Sequence, residues 1–212
     1  MPTPKIMIVP VTPFQQNCAL VWEDETKVGA VVDPGGDVEI IVQAVSKTGI
    51  KPEKILLTHG HIDHAGGAAE LAERLGVPIE GPNKEDSFLL ERLAETGAAY
   101  GLNDARPVIP DRWLAEGDEV TVGGLEFSIL ECPGHTPGSV VYYNADHKFC
   151  LMGDVLFQGS IGRTDLPRGD HEALLRSIRT KIFPLGDDVA FLPGHGSPGM
   201  VGEERRTNPF LT

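Results

Sequence analysis

The sequence predicts an α/β (α+β) protein in which two sheets pack face to face and carry helices on their outer sides. Three observations lead there. Two groups of short apolar runs, within residues 5–57 and 120–152, alternate with or precede stretches of helical spacing. A sheet covered by helices on one face still has an apolar face to bury, and a second sheet of the same kind buries it. Finally, 212 residues with 41% apolar and 23% charged side chains can form a substantial core. One domain over residues 1–212, built of two halves, is the expected organisation.

The elements follow in order. Runs at 6–11, 18–22 and 28–32 are separated by Pro, Asn and charged residues and read as an antiparallel meander. Asp33-Pro34-Gly35-Gly36 makes a turn. Asp37 stands where a helix cap belongs, ahead of Val38, Ile41, Val42 and Val45 at i, i+3, i+4 and i+7, and Gly49 ends that helix. Ile55-Leu56-Leu57 reads as a buried strand. Ala68, Leu71, Ala72 and Leu75 repeat the helical spacing up to Gly76, Val77-Pro78-Ile79 reads as a short strand, and residues 83–96 as a third helix. Residues 97–117, rich in Gly and Pro, read as a connecting loop. Strands are then expected at 120–122, 125–130, 140–143 and 149–152. Leu174, Leu175, Ile178 and Ile182 mark a helix, and 189–192 a closing strand.

Composition excludes several classes. A formal charge of −13 argues against a nucleic-acid partner, which requires clustered Lys and Arg. An anionic small molecule stays admissible, because a metal site is locally positive even on an acidic protein. No apolar run approaches a membrane span, and Met1-Pro2-Thr3-Pro4-Lys5 leads into a strand-like run rather than a signal peptide. Cys18, Cys132 and Cys150 are odd in number, widely spaced and without a CxxC pair, so reduced core thiols and a cytoplasmic location are expected.

The densest chemistry lies in Thr58-His59-Gly60-His61-Ile62-Asp63-His64, between a strand and a helical run. Neutral imidazole and carboxylate are the ligands that Zn²⁺ and its neighbours prefer. Three other segments repeat the form, an apolar strand followed at once by a ligand-type residue among glycines: Cys132-Pro133-Gly134-His135, Met152-Gly153-Asp154 and Leu192-Pro193-Gly194-His195. A lone His in a Gly-Pro turn is ordinarily a solvated loop residue. Here five of the seven histidines fall at such strand ends, and the recurrence marks a metal site. His147, in a hairpin turn, and His171, opening a helix, read as ordinary surface residues.

The cluster has the form HxHxDH, and His135, Asp154 and His195 follow it separately in that order. On these residues the chain resembles the metallo-β-lactamase-fold hydrolases over nearly its whole length. The resemblance implies a four-layer αβ/βα sandwich with two metals between the halves. Carried over residue by residue, it implies that His59, His61 and His135 hold the first metal. Asp63, His64 and His195 would hold the second, and Asp154 would bridge both. Residues 132–138, and Gly153-Asp154 followed by 159–169, look like glyoxalase II. They look most like the short bacterial hydroxyacylglutathione-hydrolase-like proteins without its C-terminal helical domain. After His195 only 17 residues remain, too few for that domain.

The implied activity is hydrolysis of a glutathione-type thioester such as S-D-lactoylglutathione, as in methylglyoxal detoxification. Two divalent ions about 3.5–4 Å apart can bring the pKa of a shared water from about 15.7 to near 7, and such a bridging hydroxide would attack the carbonyl. Zinc is the expected metal; iron or manganese also suits N/O ligands. Asp63 is the candidate catalytic residue, either as a ligand or by orienting the hydroxide. Thr58 and Asp33 are candidates to hold ligand imidazoles from behind, and each reads equally well as an ordinary strand-end or turn residue. Arg163 resembles the basic glutathione contact of glyoxalase II, although Asp165 stands where that family has an aromatic. The alternative is a mononuclear iron persulfide dioxygenase of the same fold acting on glutathione persulfide. That family shares a Gly-Arg-Thr-Asp run like 162–165 but needs only the ligands matching His59, His135 and Asp154. The expected partner is a small molecule, without nucleic acid or membrane, on a monomer or small homo-oligomer.

Overall fold

Alternating burial along the strands divides the apolar side chains among three separate cores, and this division defines the architecture. The computed structural model describes residues 2–212. In its first half, β1 (Pro4–Val11), β2 (Gln16–Glu23) and β3 (Val28–Val32) form the expected antiparallel meander. Helix α1 (Val38–Thr48) crosses to β4 (Lys51–Leu56), which pairs parallel with β3. The short α2 (Ile62–Ala65) and α3 (Ala68–Leu75) then lead to β5 (Ile79–Glu80), parallel to β4. Helices α4 (Ser87–Leu90) and α5 (Leu93–Tyr100) complete that half.

The second half supplies β6 (Glu119–Val122), β7 (Leu125–Glu131), β8 (Val140–Asn144) and β9 (Phe149–Gly153), each antiparallel to the next. A two-stranded ribbon follows, β10 (Leu156–Phe157) with β11 (Ser160–Ile161). Helix α6 (His171–Ser177) leads to β12 (Ala190–Pro193), which pairs parallel with β9, and β13 (Gly199–Met200) and α7 (Val201–Thr207) end the chain. The sheets have five strands in the order β1-β2-β3-β4-β5 and six in the order β13-β12-β9-β8-β7-β6.

Period-2 alternation sends successive side chains to opposite faces. Cys18, Leu20, Val31 and Ile55 meet the helices outside the first sheet. Their neighbours Ala19, Val21, Val32 and Leu56 meet Phe127, Ile129, Tyr142 and Leu151 between the sheets. Val141, Cys150, Met152 and Phe191 point the other way, onto Leu174 and Ile178 outside the second sheet. Three cores separate four layers, helix–sheet–sheet–helix, as the sequence predicts. All three cysteines are free and buried in the outer cores.

Local expectations need correcting in four places. Asp37 precedes α1 but does not cap it: its backbone is left-handed, φ 47°, and its carboxylate accepts the Thr12 N–H at 2.6 Å, tying the β1–β2 turn to the helix. The strand expected at 77–79 is centred on Ile79–Glu80. The helix expected over 83–96 is a 3₁₀ turn, Lys84–Asp86, followed by α4 and α5 with a break at Glu91 and Arg92. That break leaves Phe88 and Leu89 beside a cavity while Leu90 and Leu93 enter the core. The loop expected from residue 97 therefore begins only after Tyr100.

Candidate metal centre

The C-terminal ends of β4, β9 and β12 lie together where the two sheets meet, and each delivers candidate ligands. Main-chain bonds lock these ends: Val140 N–H donates to Thr58 O at 2.8 Å, Gly194 N–H to Gly153 O at 2.8 Å, and Asn17 N–H to Gly194 O at 2.7 Å. His59 and His61 follow β4, with Asp63 and His64 on α2; His135 lies between β7 and β8, Asp154 follows β9 and His195 follows β12. Close approach dictates the glycines. A Cβ on Gly194 would stand 2.2 Å from Asp154 Oδ1 and 2.4 Å from His64 Cε1. All seven residues singled out as ligands converge, and they do so in groups.

In the first group, His61 Nδ1 lies 3.1 Å from His59 Nε2 and 2.9 Å from His135 Nε2. The other ring nitrogens fix the tautomers. Thr58 Oγ1 donates to Asp33 Oδ2 at 2.7 Å and so accepts from His59 Nδ1 at 3.1 Å. His135 Nδ1 donates to the Arg163 carbonyl at 2.7 Å. Two bare Nε2 lone pairs thus face His61 Nδ1, whose single proton can satisfy only one of them, whereas a cation among the three satisfies all.

In the second group, Asp33 Oδ2 accepts from His64 Nδ1 at 2.9 Å, which turns Nε2 toward Asp154 Oδ1 at 3.4 Å and Asp63 Oδ2 at 3.8 Å. His195 Nε2 lies 3.1 Å from Asp63 Oδ2 and 3.7 Å from Asp154 Oδ2. Asp154 Oδ2 is also 3.6 Å from His135 Nε2, so this carboxylate stands between the groups. Among the described residues His64 Nε2 and Asp154 Oδ1 are buried without a hydrogen-bond partner, although they face each other. Buried polar atoms left in that state are costly, and a shared cation satisfies both. The donor set therefore fits divalent metal ions. Ligand atoms within 4.8 Å of one another fall into His59/His61/His135, His59/His64/Asp154 and Asp63/His64/His195.

Electrostatics separates the groups further. Burial, then repulsion from neighbouring imidazoles, lowers His59 well below the ordinary histidine range and His61 to about 3. Burial also lowers His135, against the attraction of Asp154. For His64, burial works the same way but is outweighed by Asp154, Asp63 and Asp33, and its pKa rises well above the usual value. His195 is raised too, because its bond to Asp63 and the Asp154 charge overcome burial. Burial opposes ionisation of Asp154, yet His64, His135 and His195 hold its carboxyl far below the ordinary range.

A cavity of about 790 Å³ opens over both groups. Its floor includes His61, Asp63, His135, Asp154 and His195, and its walls carry Phe14, Phe88, Leu89, Leu93, Tyr100 and Phe157. Arg163 lines it as well, but its guanidinium is paired with Asp165 at 2.8 and 2.7 Å. Asp33 and Thr58 do hold imidazoles from behind. Sequence reasoning missed Gln16, which is buried with Nε2 3.5 Å from His64 Nδ1, and Asn17, whose Nδ2 donates to Pro193 O and Gly196 O on either side of His195. Two adjacent amides opening an otherwise apolar strand were the available signal. His147 donates from Nε2 to the Pro2 carbonyl at 2.8 Å, and His171 begins α6; neither joins the site.

The chain is similar to known proteins in sequence and in fold. The chain is 49% identical over 207 residues to the hydroxyacylglutathione hydrolase GloC of Haemophilus influenzae, covering 97% of each. Among solved structures it is similar to BLEG-1, described as a B3 metallo-β-lactamase, with 36% identity, a TM-score of 0.88 and coverage of 98% of this chain and 100% of that one. It is also similar to TTHA1623 in a di-iron-bound form, with 37% identity, a TM-score of 0.86 and coverage of 97% and 100%. The profile of the Metallo-beta-lactamase superfamily matches residues 11–195, from the last residue of β1 to the last of the seven converging side chains, and the chain belongs to that superfamily.

Proposed function

We propose that the protein is a dinuclear metal-dependent thioester hydrolase acting on glutathione-type substrates such as S-D-lactoylglutathione. The observation that carries this reading is the near full-length identity of 49% to a hydroxyacylglutathione hydrolase, in a chain whose seven ligand-type side chains form two groups about Asp154. His59, His61 and His135 would hold one ion, Asp63, His64 and His195 the other, and Asp154 both. When bound, such a pair supplies Lewis acidity and a water acidified to near neutrality.

The chain's own residues account for the rest. The apolar walls exclude water and hold the thioester with its carbonyl toward the floor. Asp63 faces the cavity with Oδ2 fixed by His195, so it can orient the attacking water and take up its proton. Asp33, Thr58 and the Arg163 carbonyl keep His64, His59 and His135 aimed inward throughout. Hydrolysis forms the C–O bond and breaks the C–S bond, leaving a carboxylate and a thiol. Arg163, released from Asp165, would meet a substrate carboxylate. Zinc suits this borderline N/O donor set, and iron or manganese would also bind it.

Purified protein assayed with S-D-lactoylglutathione should release free thiol, lose that activity to a chelator and regain it with a divalent ion. Metal analysis should give about two ions per chain. Oxygen uptake on glutathione persulfide with one iron per chain, and no thiol release from the thioester, would replace this reading with the persulfide dioxygenase one. The Asp63/His64/His195 group argues against that outcome, because a single-iron enzyme has no use for it.

A further inference from the structure

The His59-Gly60-His61 loop comes from the first half of the chain and His135 from the second, and one side chain grips both. Asp86, at the end of the 3₁₀ turn Lys84–Asp86, is fully buried. Its Oδ2 accepts the Gly60 N–H at 2.8 Å and the Thr136 hydroxyl at 2.8 Å. Its Oδ1 accepts the Gly138 N–H at 2.7 Å. Gly60 is the residue between His59 and His61, and Thr136 follows His135, so two of the three bonds end next to members of the three-histidine group, and the third ends in the turn that follows His135.

The packing leaves no slack around these bonds. A Cβ on Gly60 would stand 2.9 Å from Leu89 Cβ and 3.2 Å from the Asp86 carbonyl oxygen. One on Gly138 would stand 2.6 Å from Asp86 N and 2.7 Å from its Cγ. Asn83 N–H donates to Gly138 O at 3.0 Å, pinning the same turn from its other end. An ionised carboxyl at this depth is expensive to bury, and three donors offset that cost. Two of those donors are main-chain N–H groups that cannot rotate away or reverse roles. Asp86 has no bond to residues 63, 64, 154 or 195. The other group is held instead by Asp33 and, around His195, by Asn17.

We propose that Asp86 is a positioning residue for one metal of the pair: it sets the spacing of His59, His61 and His135 and so the affinity of their ion, without acting on the ion of Asp63, His64 and His195. The inference rests on the dinuclear reading above. Asp86→Asn keeps the volume, but in either orientation its amide directs N–H at a donor. Thr136→Val removes one of the three bonds and leaves the carboxylate.

The test is stepwise titration of the chelator-stripped full chain with Zn²⁺ alone, read by competition with a metal indicator and without reference to turnover. Wild type should bind two ions. Asp86→Asn should weaken one step by about 10- to 100-fold and leave the other unchanged, the usual cost of losing a group behind a ligand. Thr136→Val should weaken the same step by less, and it replaces Asp86→Asn as the deciding variant if the latter does not fold. Ile41→Ala, in the core under α1, serves as a control that lowers thermal stability without touching either step. Two unchanged steps, or two steps weakened equally, overturn the role of Asp86. Failure of wild type to take up two ions overturns the dinuclear reading itself, and this inference with it.

Discussion

The two ligand groups share Asp154 but differ in what a cation must displace to enter them. Around His59, His61 and His135 burial dominates, and the imidazoles are neutral, with His61 held near 3. Around His64 and His195 three carboxylates, Asp33, Asp63 and Asp154, outweigh burial and favour protonated rings. Exposure cuts across that division: within the second group the His64 side chain is sealed, but those of His195 and Asp63 are 31% and 17% exposed. The lesson is that one residue type at equivalent strand ends gives two different sites, because the carboxylates are unevenly distributed between them. On the dinuclear reading proposed above, the first group would be preset for a cation and the second would exchange protons for one.

Removing the shared carboxylate should have the largest effect. Asp154→Asn takes away the negative charge common to both groups and leaves His64 and His195 short of a partner. Metal content should fall from about two ions toward none, and thiol release should drop by more than about 100-fold, beyond the usual cost of losing a group behind a ligand. Retention of both ions by this variant, measured by elemental analysis, would break the idea that Asp154 joins the sites.

Single-site changes come next, and they should be distinguishable. His59→Ala and His195→Ala should each retain about one ion per chain. In His195→Ala the remaining ion should bind independently of pH near neutrality; in His59→Ala its affinity should rise with pH. The sign follows from the shifts. His64 and His195 have raised pKa values, so below them metal must displace a proton, at a cost of about tenfold in affinity per pH unit for each proton. Competition titrations from about pH 6 to about pH 8 span the ordinary histidine range and would show the two slopes. Equal slopes would mean that the carboxylates do not separate the sites.

The ligands were legible because each follows an apolar run, and a strand end at a sheet–sheet junction is a fixed place. The alternation through Cys18, Ala19, Leu20 and Val21 likewise announced two buried faces and hence the layers. What stayed hidden depends on tertiary partners. Asp37 has the composition of a helix cap, but the Thr12 N–H competes for its carboxylate. Asp86 reads as one more acid in a charged helix; only docking against Gly60 and Gly138 buries it. The break between α4 and α5 is equally invisible, because spacing alone does not reveal that Phe88 and Leu89 are wanted by a cavity. The unequal proton affinities could not be read either, since His59 and His64 sit five residues apart in one motif and differ only in which carboxylates the fold brings near them.

The smallest effect should come from Arg163, and its two functions can be separated. Its carbonyl holds His135, a role of the main chain that Arg163→Ala preserves. Its guanidinium is exposed and already forked onto Asp165, so a substrate carboxylate must compete for it. Exposed pairs of this kind are weak, which makes the competition winnable but its yield small. Arg163→Ala should therefore raise KM by about two- to fivefold with kcat and metal content unchanged. Asp165→Asn frees the guanidinium and should lower KM by a similar factor, provided that the substrate is anionic. A neutral thioester of the same acyl group should respond to neither change. If Arg163→Ala instead lowers kcat or releases an ion while Asp165→Asn does nothing, the residue acts on the His135 side of the comparison rather than on substrate.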